Sequence, residues 1–464
     1  MKLLYLGIVL AACGEPQAVA RTPAAPAVAA PPVVEPAPID RDAMARRIRD
    51  ETRAAWNAYA KDAWGHDELR PLSRTARDWY GESLLITPVD ALDTLVMLGL
   101  TDEAAAARTL IDDRLSFDKD ITVKNFEITI RVLGGLLSGY QLTGDAHLLA
   151  LADDLGARLL PVFGSPTGMP YMFVNLKTGK VSGAKSNPAE IGTLFLEFGT
   201  LAKLTGKPVY YDKARRALVE LHARRSQLGL VGEEIDVESG QWVSRNSHVG
   251  GGIDSYYEYL LKGSILFGDD ELGRMWRASA AALHGHLAQE IAGGLWYGEA
   301  DMATGKITGT HFGGLQAFLP AVLVLGGDLE RARRLEDSCF RMWQLRGIEP
   351  EEIDYRTMTI TADGYPLRPE IIESAWYLRR ATQDPQYLAM GKAFFDALVT
   401  HARTPGGGYA ILTSVETMTQ GDLMPSYFLA ESLKYLYLIF APDGVVDLDH
   451  VVFNTEAHPL RRTW

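Results

Sequence analysis

A chain of 464 residues with 47% hydrophobic side chains can bury a large core, which excludes a disordered or fibrous protein. Its formal net charge of −13 argues against a nucleic-acid partner, which wants basic patches, and favours a neutral or cationic ligand or simple solubility. There are only two cysteines, Cys13 and Cys339.

The chain opens with Lys2 and a short apolar run ending in Leu10-Ala11-Ala12-Cys13. A basic start, a brief apolar stretch and small residues before a cleavage point form a secretory signal. A Cys at that point resembles a bacterial lipobox, which implies removal of residues 1–12 and lipidation of Cys13. Gly14 and Glu15 follow, with no Asp beside the Cys. The implied address is the outer membrane or periplasm of a Gram-negative bacterium, with the protein exported and lipid-anchored. Residues 13–39 are rich in Ala and Pro and form a semi-extended tether. Residues 40–464 are the folded domain, in which Cys339 has no partner for a disulfide and sits in a helix-like stretch, buried rather than reactive.

Within that domain six short turns recur, each followed by a helix-like run: Gly99 to Asp102, Thr143 to Asp145, Thr205 to Lys207, Phe267 to Asp270, Gly326 to Asp328 and Thr382 to Pro385. Gly ends most of the preceding helices, Thr or Asp caps the next, and Pro208 and Pro385 suit a first turn. The neighbouring runs carry helical apolar spacing, as in Ile130, Leu133, Leu137 and Tyr140. Six helix pairs, a first helix near Arg41 to Trp64 and a last near Met424 to Phe440 make seven pairs. A closed, all-α (α/α)7 barrel buries both terminal helices, whereas an open solenoid would want a more polar end than Tyr427 to Phe440. Connections such as Met169 to Val181 and Gly294 to Ile307 predict small hairpins gathered at one end.

The last stretch, Val445 to Phe453 with an acidic break at Asp447 and Asp449, reads as strands and leads to Thr455, Glu456 and His458. Two strands alone are barely stable, so this hairpin must plug the helical body. A polar tip buried there is costly unless compensated, and a hard cation such as Ca2+ prefers oxygen ligands. An ordinary surface hairpin is the alternative.

Glu127, Glu190, Asp254, Glu370 and Glu431 each fall within the first two turns of a helix, flanked by apolar residues. Acids near helix starts oppose the dipole, which explains any one of them. Five at one mouth, from five pairs, form a constellation. Paired carboxylates are the equipment of glycoside hydrolysis. Arg131, one turn after Glu127, and Arg368, two residues before Glu370, can keep carboxylates ionised and orient hydroxyls, although each taken alone fits a structural ion pair equally.

These residues lie in eight segments that together resemble glycoside hydrolase family 47, the class I α-mannosidases. The segments are WGHDEL from Trp64, VDALDTL from Val89, FEITIRVLGGL from Phe126, AEIGTLFLEF from Ala189, DSYYEYLL from Asp254, YPLRPEIIES from Tyr365, FLAESLKY from Phe428 and FNTEAHP from Phe453. The resemblance implies an (α/α)7 barrel that removes α-1,2-linked mannose from glycans with inversion and with calcium as cofactor. It implies that Glu127, acting through a water, is the general acid, Glu370 the general base and Asp254 a third catalytic carboxyl, with Asp254 the other candidate for the acid role. It implies Thr455 as the calcium ligand, and Arg131, Glu190, Arg368, Glu373, Tyr427, Glu431 and Glu456 as residues around the sugar and the metal's waters. A monomer is expected. Gly252 and Gly314 depart from the processing enzymes, Tyr427 stands where a Phe is usual, and the stretch from Gly314 to Pro320 looks more like the degradation-enhancing mannosidase-like branch. The alternatives are a glycan-binding quality-control protein with little hydrolysis, and an α/α-barrel sugar epimerase using His248 and His311.

Overall fold

Each of the six turns joins two helices, and the caps explain why the chain breaks there. Gly144, Gly206 and Gly268 end their helices in the left-handed region, at φ 74°, 71° and 68°, and Gln383 does the same at 57°. The side chains of Asp145, Asp269 and Asp328 accept backbone N–H groups at the starts of the following helices. The computed structural model describes residues 38–464; the signal and lipidated Cys13 expected at 1–13, and nearly all of the tether, lie outside them.

Two kinds of helix alternate. Helices such as Ile86–Met97 and Asp254–Phe267 are buried nearly all round, as inner elements must be. Helices such as Ala146–Leu159 and Asp270–His286 bury one stripe and form an outer layer. The inner elements run in order: Ile86–Met97, 125–143, 188–205, Asp254–Phe267, 314–325, Glu370–Thr382 and 428–440. Each packs on the next, and the last returns to the first, where Thr94 Oγ1 donates to the carbonyl of Ala430 at 3.2 Å. The outer helix Arg41–Asp62 packs on 428–440, so the first and last helices of the folded unit, Ile39–Trp464, bury one another. The expected seven-pair α/α architecture is what the chain forms.

Small antiparallel sheets make up the connections. Thr122–Lys124 pairs with Phe173–Asn175, Lys185–Ser186 with Glu234–Asp236, Asn246–Ser247 with Glu299–Asp301, and His311–Gly313 with Glu352–Asp354. Each first-named strand leads into an inner helix, so hairpin from one connection braces the helix start of another. That ring of sheets fixes the end of the barrel where the five acids lie.

The C-terminal hairpin pairs Val451–Phe453 with Pro459–Arg461, shorter than the strand expected from Val445. Asp447 explains the difference: its carboxylate accepts from Asp449 N and faces His450 Nδ1 at 2.8 Å, which turns the chain before the strand starts. Phe453 packs edge-on against Trp376 and tilted against Tyr435. Close approach to the barrel wall requires Gly134 and Gly135. A Cβ on Gly134 would lie 2.8 Å from Asn454 Nδ2 and from His458 Cδ2, and one on Gly135 would lie 2.7 Å from the Val89 carbonyl.

Candidate active site

The inner helix starts and the hairpin tip line a pocket of about 330 Å³. Every site residue expected from the sequence in the folded domain lines it: Glu127, Arg131, Glu190, Asp254, Arg368, Glu370, Glu373, Tyr427, Glu431, Thr455 and Glu456. Glu258 and Lys124 line it as well, and the sequence reading missed both. The lining thus holds eight carboxyls, Glu127, Glu190, Asp254, Glu258, Glu370, Glu373, Glu431 and Glu456, against three cations, Lys124, Arg131 and Arg368.

Arg131 is the most heavily used cation. Its Nε donates to Glu127 Oε2 at 3.0 Å, its Nη1 makes a short contact to Glu456 and lies 3.7 Å from Asp90. The rings of Trp79 and Tyr427 lie 5.5 Å from its guanidinium carbon, so the cation is held by two aromatic faces as well. Burial works against its charge, but Glu456, Glu127 and Asp90 outweigh it and hold Arg131 firmly cationic. Arg368 is fixed by Glu351, whose carboxylate accepts from both Nη2, at 2.5 Å, and Nε, at 3.2 Å. Glu351, 17 residues upstream, had no local signal that tied it to the site.

The three candidate catalytic carboxyls differ in setting. Glu370, half-buried with its Oε2 out of contact with solvent, is pushed up to about 8 by desolvation, which Arg368 partly opposes. Asp254 is pushed up to about 7 by desolvation, opposed by hydrogen bonds from Ser255 N at 2.7 Å and Ser255 Oγ at 3.2 Å. Glu127 has both oxygens near cations, Arg131 Nε on Oε2 and Lys124 Nζ 3.7 Å from Oε1. Glu373 is raised to about 7 by burial, with Lys262 opposing, and burial also raises Glu431 and Glu456. Lys262 is buried behind the pocket, in short contact with Glu258 and 3.6 Å from Glu373.

The tip of the hairpin sits inside the helical body, as expected, and the structure supplies its partners. His458 does not face the pocket: it is buried between Asp93 and Asp90 of the first inner helix. Asn454 braces the tip from below, accepting from Glu456 N and His458 N and donating to Ile130 O and to Glu197. The protein itself therefore compensates much of the buried polarity that the sequence reading gave to a cation. Thr455 is the tip residue left facing the pocket, beside Glu456.

Two backbone features at the site left no mark in the sequence. The helix carrying Glu127 widens into a π-helical turn over Ile128–Leu133, and the last inner helix does so over Phe428–Ser432, around Glu431. Such turns shift side chains relative to an ideal helix and cluster at functional sites. Leu367 and Ala457 adopt the left-handed region at φ 67° and 57°, immediately before Arg368 and after Glu456. Their carbonyls are held by Ser432 Oγ at 2.8 Å and Lys434 Nζ at 2.6 Å, both from the last inner helix.

Among the described residues no three Asp, Glu, His or Cys side chains converge as a ready metal cage. The donor set is nevertheless one a hard cation accepts: the hydroxyl and carbonyl of Thr455 among surplus carboxyls. Glu190 Oε2 and Glu370 Oε2 are buried with no protein partner, leaving acceptors for hydroxyls or ordered water.

A barrel of seven helix pairs with a carboxylate-rich pocket at the helix starts is the form of a glycoside hydrolase. The profile described as glycosyl hydrolase family 47 matches residues 51–462, and the chain belongs to that family. It is 37% identical over 452 residues to Alpha-mannosidase I MNS5 of Arabidopsis thaliana, covering 91% of this chain and 78% of that protein. It is 38% identical over 449 residues to ER degradation-enhancing alpha-mannosidase-like protein 2 of Mus musculus, covering 89% and 77%. Among solved structures it is similar to the alpha-1,2-mannosidase from Trichoderma reesei, at TM-score 0.84 and 28% identity over 90% of this chain and 99% of that one. A D-mannose isomerase, at TM-score 0.60 and 14% identity over 88% of this chain and 99% of that one, shares the fold alone.

Proposed function

We propose that the protein is an inverting, calcium-dependent exo-α-1,2-mannosidase that releases mannose from glycans outside the cytoplasm. The observation that carries this reading is the convergence of Glu127, Asp254 and Glu370, from three separate inner helices, on one pocket floored by Thr455. Relatives named as α-mannosidases support the sugar and the linkage.

An inverting hydrolysis needs one carboxyl to protonate the leaving oxygen and another to take a proton from water on the opposite face of the sugar. Glu370 is given the second task, and the adjacent Arg368, which opposes the effect of burial, favours the ionised carboxylate that a base requires. Glu127, acting through a water, and Asp254, which burial raises to about 7, are the two candidates for the acid. Thr455 would hold Ca2+ by its hydroxyl and carbonyl, with Glu431 and Glu456 receiving the ion's waters. A bound calcium ion supplies a hard positive charge that orients sugar hydroxyls and offsets the surplus carboxyls.

The test is release of mannose from α-1,2-linked mannobiose by residues 40–464, with calcium and then with chelator, following the product anomer by NMR. Calcium-dependent appearance of β-mannose supports the proposal; calcium binding without release favours a larger glycan, then a binding protein. The relatives named as degradation-enhancing mannosidase-like proteins keep that second reading in view. The epimerase alternative has less support, because His248 and His311 line a neighbouring cleft and not this pocket. Export and anchoring through Cys13 are proposed from residues 1–13 alone; Cys13→Ser would release the protein from membranes if they are right.

A further inference from the structure

Lys124 ends strand Thr122–Lys124, where pairing with Phe173–Asn175 sets it opposite Phe173, and the helix carrying Glu127 starts at the next residue. Its backbone is therefore fixed from both sides. Its ammonium lies 2.6 Å from Glu190 Oε1 and 3.7 Å from Glu127 Oε1, and so bridges carboxyls of two neighbouring inner elements. The other two cations of the pocket are engaged elsewhere, Arg131 with Glu127, Glu456 and Asp90, and Arg368 with Glu351. Lys124 is thus the pocket cation that meets Glu190. Burial alone would weaken its charge, but Glu190 and then Glu127 outweigh burial and keep it charged.

Glu190 depends on this contact. Its Oε2 is buried without a protein partner, so Oε1 with Lys124 is where the carboxyl is anchored. Burial already pushes Glu190 up to about 7, with Lys124 as the chief opposing influence. Without the ammonium the carboxyl would lose both its charge and its direction at neutral pH. Glu127 would keep Arg131 on one oxygen and lose the cation facing the other.

We propose that Lys124 is a positioning residue of the hydrolysis, an ammonium bridge that aims Glu190 and Glu127 into the pocket from two different inner elements. It rests on the mannosidase reading above. Its action is through those carboxyls, since the observed contacts of its charge are with them and with the face of Phe126, 5.7 Å from the ring centre.

The test is a double-mutant cycle in kcat and KM on α-1,2-linked mannobiose with calcium, using wild type, Lys124→Met, Lys124→Arg, Glu190→Gln and the Lys124→Met/Glu190→Gln double variant. Lys124→Met should lower kcat by roughly 10–100-fold, the scale expected when a reacting group is misplaced by about 1 Å, with KM changing much less. Lys124→Arg, which keeps the charge, should recover most of the loss. In the Glu190→Gln background Lys124→Met should cost little more, because the bridge is already broken. An equal kcat for Lys124→Met and wild type, or the same fold-loss in both backgrounds, overturns the proposal. Should Lys124→Met not fold, Lys124→Gln completes the same cycle. A wild-type protein inactive on α-mannosides would sink the mannosidase reading and this proposal with it, whereas an active wild type with an indifferent Lys124→Met sinks this proposal alone.

Discussion

The imidazole of His458 donates through Nδ1 to Asp93 Oδ2 at 2.6 Å, deep inside the barrel. Its Nε2 meets Asp90 Oδ1 at 3.1 Å. With a carboxylate at each nitrogen, both nitrogens carry protons and the ring is an imidazolium. Asp93 is further paired with Lys434 Nζ at 2.7 Å, and Asp90 with Arg131 Nη1 at 3.7 Å. The network therefore runs from the hairpin to the guanidinium that holds Glu127.

Removing the imidazole leaves two buried aspartates short of a partner. His458→Leu should cost about 3–5 kcal/mol of unfolding free energy, as breaking buried pairs does. The pH dependence has a definite sign. Burial disfavours the charged ring, but Asp93 and Asp90 raise the pKa of His458 above its ordinary 6.5 in the folded state. Its stabilisation is then full below that value and is lost as pH rises through the folded one. Denaturant unfolding at several pH values should show the gap between wild type and His458→Leu narrowing on the alkaline side.

Glu370→Gln keeps the shape of the site and removes the base. Turnover should fall by at least about 10²–10⁴-fold, the usual worth of general base catalysis, with folding and calcium binding largely unchanged. Retained, calcium-independent turnover in Glu370→Gln would rule Glu370 out as the base. Single-turnover kinetics and calorimetric calcium titration read the two parts separately.

Arg368 tests the tuning of that base. It opposes the effect of burial on Glu370, so Arg368→Met should raise the carboxyl further above about 8. The base works when ionised, so its acid limb must move to higher pH, by about 1 unit or more for the loss of an adjacent guanidinium. A kcat/KM profile across pH checks this, and an unmoved limb would separate Arg368 from Glu370.

Gly134 tests the docking of the hairpin. Any Cβ there collides with Asn454 and His458 at 2.8 Å, and overpacking of this kind costs typically about 1–3 kcal/mol. Gly134→Ala should lower the unfolding midpoint and weaken calcium affinity together, because Thr455 follows Asn454 directly. A thermal melt with and without calcium distinguishes this from a general loss of stability.

Several helix pairs were legible because local chemistry bounds them, a left-handed Gly at Gly144, Gly206 and Gly268 and a capping Asp at Asp145, Asp269 and Asp328, and the site carboxyls because they sit in apolar surroundings at helix starts. Partners remote in sequence were not legible. Glu351 reaches Arg368, Lys124 reaches Glu190 and Lys262 reaches Glu373 only once the barrel has formed. The π-helical turns at 128–133 and 428–432 were equally silent, since the same residues suit an α-helix and tertiary contacts decide the register. The partners of His458 were silent for the same reason: its two aspartates lie more than 360 residues upstream.

The clamp by Ser432 and Lys434 on the strained backbone at Leu367 and Ala457 has a bearing on when the protein becomes competent. A chain synthesised from its N-terminus builds the walls of the pocket first, and all three candidate catalytic carboxyls exist before residue 371. The floor arrives only with residues 428–459, which bring both the clamp and Thr455. A nascent chain, or one clipped ahead of the hairpin, thus carries the acids without a finished bed for a sugar. Newly made or clipped copies should therefore stay inert toward α-mannosides until the last turn of the chain is seated.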